Sequence, residues 1–420
     1  DGMVGFMSAP FDPPATLAGE LRSSGYETRL VGKLHLFPPR HRFGFDRVEL
    51  SDAPRIAPRA GDNEYLDWLG GEAPSDRWAA ANGATPNGWI GRPNHLPEEQ
   101  THTFWCVSRA IQFLERRDPS QPFFLNLSFI DPHPPFTPPK FFFDRYDAME
   151  LPGPVIGDWV EPWKGPKRGV DPEVRSEKRF YRRGMDLDPL PMHYMRAAYF
   201  GMINHIDMQL SRLTQYMRDR RLLDNTLILF VADHGEMLGD HRLFHKSWPY
   251  EASARVPLFV RVPDGFGCPR ETVCDAPVGL QDVMPTILDG VGIDVPKSVT
   301  GRSLMPFIRG ECPGWRHVLH GEHSGGTRPE TAWHFLTDGR IKYVWYSQTG
   351  REHLFNLDVD ATEQHDMARN EGADDLLSPW RKRLIEALKN RPEGFNDGKQ
   401  LIAGRPHNEL VPGTIEKSGN

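Results

Sequence analysis

Asp233, His234, Glu236, Asp240, His241, His245 and Lys246 crowd into one short stretch, VADHGEMLGDHRLFHKSWPYE. Carboxylate oxygens beside imidazoles suit a divalent cation such as calcium, magnesium or manganese. An imidazole can also give or take a proton near neutral pH. Two other places carry similar chemistry: Lys33 and His35 in GKLHL, and His133 in DPHPPF. Each has an ordinary reading. A lysine next to a histidine is usually surface, and a loop histidine is usually satisfied locally. What the three share is position, since each follows an apolar run.

The elements that must position these residues can be read from periodicity. Thr226 to Val231 is a short apolar, β-branched run that predicts a buried strand, and Val256 to Val262 predicts another. Tyr26 to Val31 predicts a strand ending at Gly32. Phe123 to Ile130 predicts a strand covered on both faces, with the following prolines expected to fix an extended exit. Helices are expected over 16–24, 101–117, 193–220, 280–291 and about 374–389. His205 and Asp207 sit two apart within one of these, point to different faces and read as structural. Met195, Met202, Met208 and Met217 read as core filler. Strands alternating with helices through the first 300 residues predict an α/β fold, a mainly parallel central sheet with helices on both faces. In such a sheet the C-terminal strand ends share one edge, where ligand sites form. From residue 317, short strands at HVLHGE, HFLTD and IKYVWYS predict a small C-terminal antiparallel sheet with a helix. The expected division is 1–310 for the α/β domain, 311–392 for a C-terminal α+β subdomain, and 393–420 for a polar tail. The irregular segments 52–98 and 145–192 are expected to wall a substrate site.

Composition narrows the function. The net charge of −7 is mild for 420 residues and the basic residues are scattered, so no nucleic-acid partner is expected. No run has the length of a transmembrane helix, so no membrane partner is expected either. The first residues, Asp1-Gly2-Met3-Val4, do not read as a signal peptide. The compartment and homo-oligomerisation stay open. Cys106, Cys268, Cys274 and Cys312 form no C-x-x-C pair and are expected to be free thiols.

Taken together, these stretches resemble the sulfatases of the alkaline-phosphatase-like superfamily. GYETRLVGKLHL resembles the family's G-Y-x-T-x-x-x-G-K-W-H-L segment, with Leu34 in place of Trp. FFLNLSFIDPHPPF resembles its strand leading into P-H-x-P-F. VADHGEMLGDHRLFHKSWPYEASARVPL resembles its most specific block. TDGRIKYVWY and EHLFNLDVDATEQ resemble its C-terminal subdomain. The resemblance implies an alkaline-phosphatase-like fold and a sulfuric ester hydrolase acting on an aryl or carbohydrate sulfate monoester, a small-molecule or glycan partner. It implies Asp233 and His234 as ligands of a divalent metal, calcium before manganese or magnesium. It implies Lys33, His35, His133 and Lys246 as catalytic, with His133 the general acid and His35 the base that releases sulfate. The family's paired metal-binding aspartates and its C/S-x-P/A-x-R run, source of the formylglycine nucleophile, are expected to be missing from this chain. Cys106-Val107-Ser108-Arg109 departs from that run and is rejected as its equivalent. Weak divalent-metal binding is therefore expected. Two alternatives stand beside the sulfatase: a phosphonate monoester hydrolase or phosphodiesterase of the same superfamily, and a non-catalytic binding protein that has lost its nucleophile.

Overall fold

The computed structural model describes residues 13–38, 40–52, 61–70, 88–162, 187–311, 314–326 and 328–409. Its strands are β1 (Glu27–Gly32), β2 (Arg47–Leu50), β3 (Phe123–Ser128), β4 (Ile228–Val231), β5 (Leu258–Arg261), β6 (Leu319–His323), β7 (Trp333–Thr337), β8 (Ile341–Tyr346) and β9 (Glu352–Asn356). Its α-helices are α1 (Leu17–Ser23), α2 (Glu64–Trp68), α3 (His102–Arg116), α4 (Lys140–Asp147), α5 (Pro189–Asp219), α6 (Glu251–Ala254), α7 (Val283–Gly290), α8 (Met305–Ile308) and α9 (Ala373–Ala387).

The fold is α/β. A three-stranded parallel sheet runs in the order β2-β1-β3. Alternation along β1 sends Leu30 to one face, where it packs with Ala18 of α1, Phe45 and Val48. Val31 goes to the other face, with Tyr65 of α2 and Trp105 and Cys106 of α3. Both faces are thereby covered by helices. α1 starts where the Thr16 hydroxyl caps the Gly19 amide at 3.0 Å. α5 begins at Pro189, earlier than the periodicity predicts, because prolines are tolerated in a first turn where amides have no helical partner. Met195, Met202 and Met217 are buried along it. Met208 is not core filler: it is 52% exposed, on the same outward side as Asp207.

Several expectations need correction. β2 is not among the strands the periodicity predicts, since RVEL is a four-residue run with charges at alternate positions. β5 is the strand the sequence predicts, and it pairs antiparallel with β4 in a separate two-stranded sheet. Between them the chain forms only a 3-10 turn at Asp240–Arg242 and the single turn of α6, with no helical crossover of the kind a parallel pair requires. β3 is partly buried along its whole length, not fully covered. Its exit is a turn: His133 N donates to the Ile130 carbonyl at 2.9 Å across a cis Asp131–Pro132 bond, the type VI arrangement.

The C-terminal sheet is antiparallel in the order β6-β7-β8-β9, with α9 packed on one face. Residues beyond α9 fold back on that face and bury Phe395 completely. A seam joins this sheet to the α/β part. Lys342 of β8, 1% exposed, reaches Glu251 of α6 at 2.6 Å and Glu363 at 3.1 Å. The hydroxyls of Tyr250 and Tyr346 meet at 2.9 Å, and Trp333 Nε1 donates to the Ser247 carbonyl at 3.0 Å. No described helix is long and apolar enough to cross a membrane. Cys106, Cys268 and Cys274 are free thiols; Cys312 lies outside the described residues.

Candidate active site

Lys33 leaves β1 directly after Gly32. Gly32 has φ of 108°, and a Cβ there would lie 1.7 Å from the Ser128 carbonyl oxygen, so only glycine lets the two strands end this close. The Lys33 amide donates to the same carbonyl at 3.0 Å. Its side chain crosses to the end of β4, where Nζ donates to Asp233 Oδ2 at 2.6 Å. His234 Nδ1 faces the Gly235 carbonyl at 2.8 Å and donates to it. The lone pair of Nε2 is left 3.7 Å from Asp233 Oδ2.

His133 follows β3. Its Nδ1 donates to the Pro134 carbonyl at 2.7 Å, and its Nε2 accepts from Lys246 Nζ. Its ring lies edge-on to that of His234, centroids 5.8 Å apart. Lys33, Asp233, His234, His133 and Lys246 thus form one contiguous cluster. His35, two residues past Lys33, is held separately. Asp52 at the end of β2 accepts from the Leu34 and His35 amides, at 3.1 and 2.5 Å, and its other oxygen meets His35 Nδ1 at 3.1 Å. Asp52 is buried and was missed by sequence reasoning; its signal is that it too follows a strand.

Lys246 rides on a loop with left-handed backbone at Leu238, His241, Arg242, His245 and Ser247, φ between 48° and 74°. Glu236 pins this loop by accepting from the His245 amide at 2.5 Å and the Leu238 amide at 3.3 Å. Burial pushes the Glu236 carboxyl up to about 7. His241 is structural, its Nδ1 accepting from the Gly157 amide at 3.1 Å.

The charges follow from these contacts. Partial desolvation works against the Asp233 charge, but His234 and the Lys33 ammonium outweigh it and hold the carboxyl well below the usual range. Burial, opposed by Asp233, pushes His234 down to about 4. Burial and then the Lys246 ammonium push His133 down to about 2. The resting site therefore holds two ammonium groups and two neutral imidazoles around one carboxylate. Asp233 Oδ2 and His234 Nε2 suit a divalent ion as a pair of donors. Among the described residues no third carboxylate or imidazole joins them within ligand range, fewer donors than the six to eight that calcium takes.

Cys106 is fully buried and burial raises its thiol well above the usual range, which removes it as a nucleophile. The expectation that no C/S-x-P/A-x-R run is present needs one correction. Ser51-Asp52-Ala53-Pro54-Arg55 satisfies the letters. Ser51 is 1% exposed at the end of β2, with no hydrogen-bond partner for its hydroxyl among the described residues, so the match is formal. Most of the segments expected to wall the substrate, 53–60, 71–87 and 163–186, lie outside the described residues.

A helix-covered parallel sheet whose strand ends meet an Asp-His pair and a lysine brought from beyond the neighbouring strand β4 is the arrangement of the alkaline-phosphatase-like hydrolases. Within that class the chain belongs to the sulfatase family. The family model "Sulfatase" matches residues 2–293, and that of the N-sulphoglucosamine sulphohydrolase C-terminal region matches 239–390. An arylsulfatase of Clostridium perfringens is 37% identical over 406 residues, spanning 94% of this chain and 82% of that protein. The phosphonate monoester hydrolase of Agrobacterium radiobacter shares the fold with a TM-score of 0.69 at 23% identity, over 90% of this chain and 81% of that one. A protein solved with its substrate D-glucosamine-2-N,6-O-disulfate gives 0.64 at 18% identity, over 91% and 83% of the two chains. The chain is a sulfatase-type hydrolase.

Proposed function

We propose that this protein hydrolyses an aryl or carbohydrate sulfate monoester at the Lys33–Asp233–His234–His133–Lys246 cluster. The observation that carries this is the pair of ammonium groups, Lys33 and Lys246, brought from distant parts of the chain to flank Asp233, His234 and His133. A sulfuryl group carries its charge on non-bridging oxygens, and preorganised cations lower the energy of its transfer most where water is excluded. Lys33 binds one such oxygen and keeps Asp233 ionised. Lys246 binds another and, in doing so, gives up its contact with His133. His133 then faces the bridging oxygen with its Nε2. The incoming anion reverses the influence of Lys246, so Nε2 takes up a proton from solvent on binding and delivers that proton to the leaving alkoxide. His35, oriented by Asp52, serves as base in releasing sulfate. Asp233 and His234 would hold a divalent ion, calcium first, and when bound that ion would neutralise sulfate oxygens and activate a formylglycine nucleophile. Two donors alone bind calcium weakly. Support for a glycan ester comes from the C-terminal family match and the disulfated glucosamine in a structural neighbour.

The test is a comparison of nitrophenyl sulfate with nitrophenyl phosphonate esters, using protein made from its complete coding sequence. Higher kcat/KM on the sulfate supports the proposal. Higher kcat/KM on the phosphonate sinks it in favour of a phosphonate hydrolase. No turnover of either, with calcium present, favours a binding protein.

A further inference from the structure

A second polar cluster lies in the C-terminal sheet, on the face of β7 opposite Trp333. His320 and Glu322 of β6 and His334 of β7 converge there, with donor atoms all within 4.8 Å of one another. His320 Nε2 and His334 Nδ1 are 3.1 Å apart, and His334 Nδ1 is 3.6 Å from Glu322 Oε2. For ligands about 2.0–2.1 Å from a tetrahedral zinc ion, neighbouring donors stand roughly 3.3 Å apart, and both separations bracket that value. His334 is fully buried, and its Nε2 has no hydrogen-bond partner among the described residues. Glu322 is held in place from behind. Arg391 donates to both of its oxygens, at 2.9 and 2.7 Å, and His407 Nε2 stands 3.3 Å from Oε2. Arg391 is itself balanced by Glu393 at 2.8 Å.

We propose that His320, Glu322 and His334 form a structural site for a zinc-class divalent ion, separate from the catalytic cluster. Two imidazoles and one carboxylate select a borderline transition metal and not calcium. Through Glu322 the ion fastens the returning segment, Arg391 and His407, to the sheet. Through β7 it steadies Trp333, whose indole braces Ser247 beside Lys246. The site therefore acts on stability first and on turnover only indirectly.

The competing description is a metal-free core in which one imidazole hydrogen-bonds the other. Cobalt(II) titration of chelator-treated, tag-free protein distinguishes the two, because a four-coordinate site gives visible d–d absorption. One equivalent is expected in the wild type and in Asp233→Asn, with a rise in Tm on adding zinc. His320→Gln and His334→Gln are each expected to lower the affinity by more than about 100-fold, beyond what losing an outer-sphere partner costs. No absorption in the wild type, absorption that survives both histidine variants, or absorption lost in Asp233→Asn would overturn the proposal. Should His334→Gln not fold, His320→Gln and the wild-type titration still decide.

Discussion

Replacing Lys342 with methionine removes the cation that Glu251 and Glu363 share at the seam between the C-terminal sheet and the α/β part, while keeping the stem that fills the space. Lys342 is 1% exposed and contacts Glu251 at 2.6 Å and Glu363 at 3.1 Å; the Glu363 side chain is also 1% exposed. Burial works against the lysine's charge, but the two carboxylates outweigh it and hold the ammonium above its usual range. Burial likewise pushes Glu363 up, with Lys342 opposing. Removing one partner of such a buried group costs about 3–5 kcal/mol, because the remaining charge has nothing to answer it. Without the lysine, Glu363 moves further up. A carboxyl raised in the folded state gives stability that is full below its unfolded value of about 4.3 and is lost as pH rises through the folded value. The deficit of Lys342→Met should therefore be larger at pH ~8 than at pH ~5, by up to about 1.4 kcal/mol per pH unit across that window. Urea unfolding followed by tryptophan fluorescence at both pH values measures this, and Lys342→Met/Glu363→Gln should recover part of the loss. A loss below about 1 kcal/mol, or a deficit that is equal at both pH values or larger in acid, would refute the argument from a buried uncompensated carboxylate.

Three further outcomes are expected. Lys246→Ala should lower kcat on nitrophenyl sulfate by about 10²–10³-fold, whereas His133→Ala should matter far more for an alkyl sulfate than for nitrophenyl sulfate, whose leaving group needs no proton; equal effects on both substrates would remove His133 as the acid. His205 is fully buried and burial pushes it down to about 4, so its contribution is complete above its unfolded value and fades as pH falls below it. At pH ~5 the loss is about 2 kcal/mol relative to neutral pH, and His205→Gln should show a smaller acid drop in urea midpoint than wild type. Gly32→Ala places a methyl group 1.7 Å from the Ser128 carbonyl oxygen at a φ of 108°, and should cost about 3–4 kcal/mol and displace Lys33, read as a lower Tm together with lower kcat.

Most of the cluster was legible in the sequence because Lys33, His133 and the Asp233-His234 pair each follow an apolar strand, although β4 lies in a separate antiparallel pair and not in the parallel sheet. Lys33, Asp233 and His133 announce themselves by interrupting runs that otherwise belong in a core. Asp52 did not, because β2 is four residues long with charges at alternate positions. The antiparallel direction of β5 was hidden because direction is set by the connection, and the loop from 232 to 257 has a composition compatible with either. The turn at His133 escaped because an X-Pro bond's isomer is a tertiary choice, not a local one. The seam was invisible for another reason: Glu251 and Lys342 are 91 residues apart, and nothing in either neighbourhood names the other. The triad of His320, Glu322 and His334 is a product of strand register, since pairing Glu322 with His334 is what brings the imidazoles together.

The loop carrying Lys246 also bears on how this enzyme can be improved. Left-handed backbone at Ser247 costs free energy that glycine would not, so a glycine at this position relieves the folded chain. The same relief frees the ammonium group that the loop exists to hold still. A search for heat-tolerant variants would find its cheapest gains beside Lys246 and lose rate there, whereas gains won at the Lys342 seam would leave the rate intact.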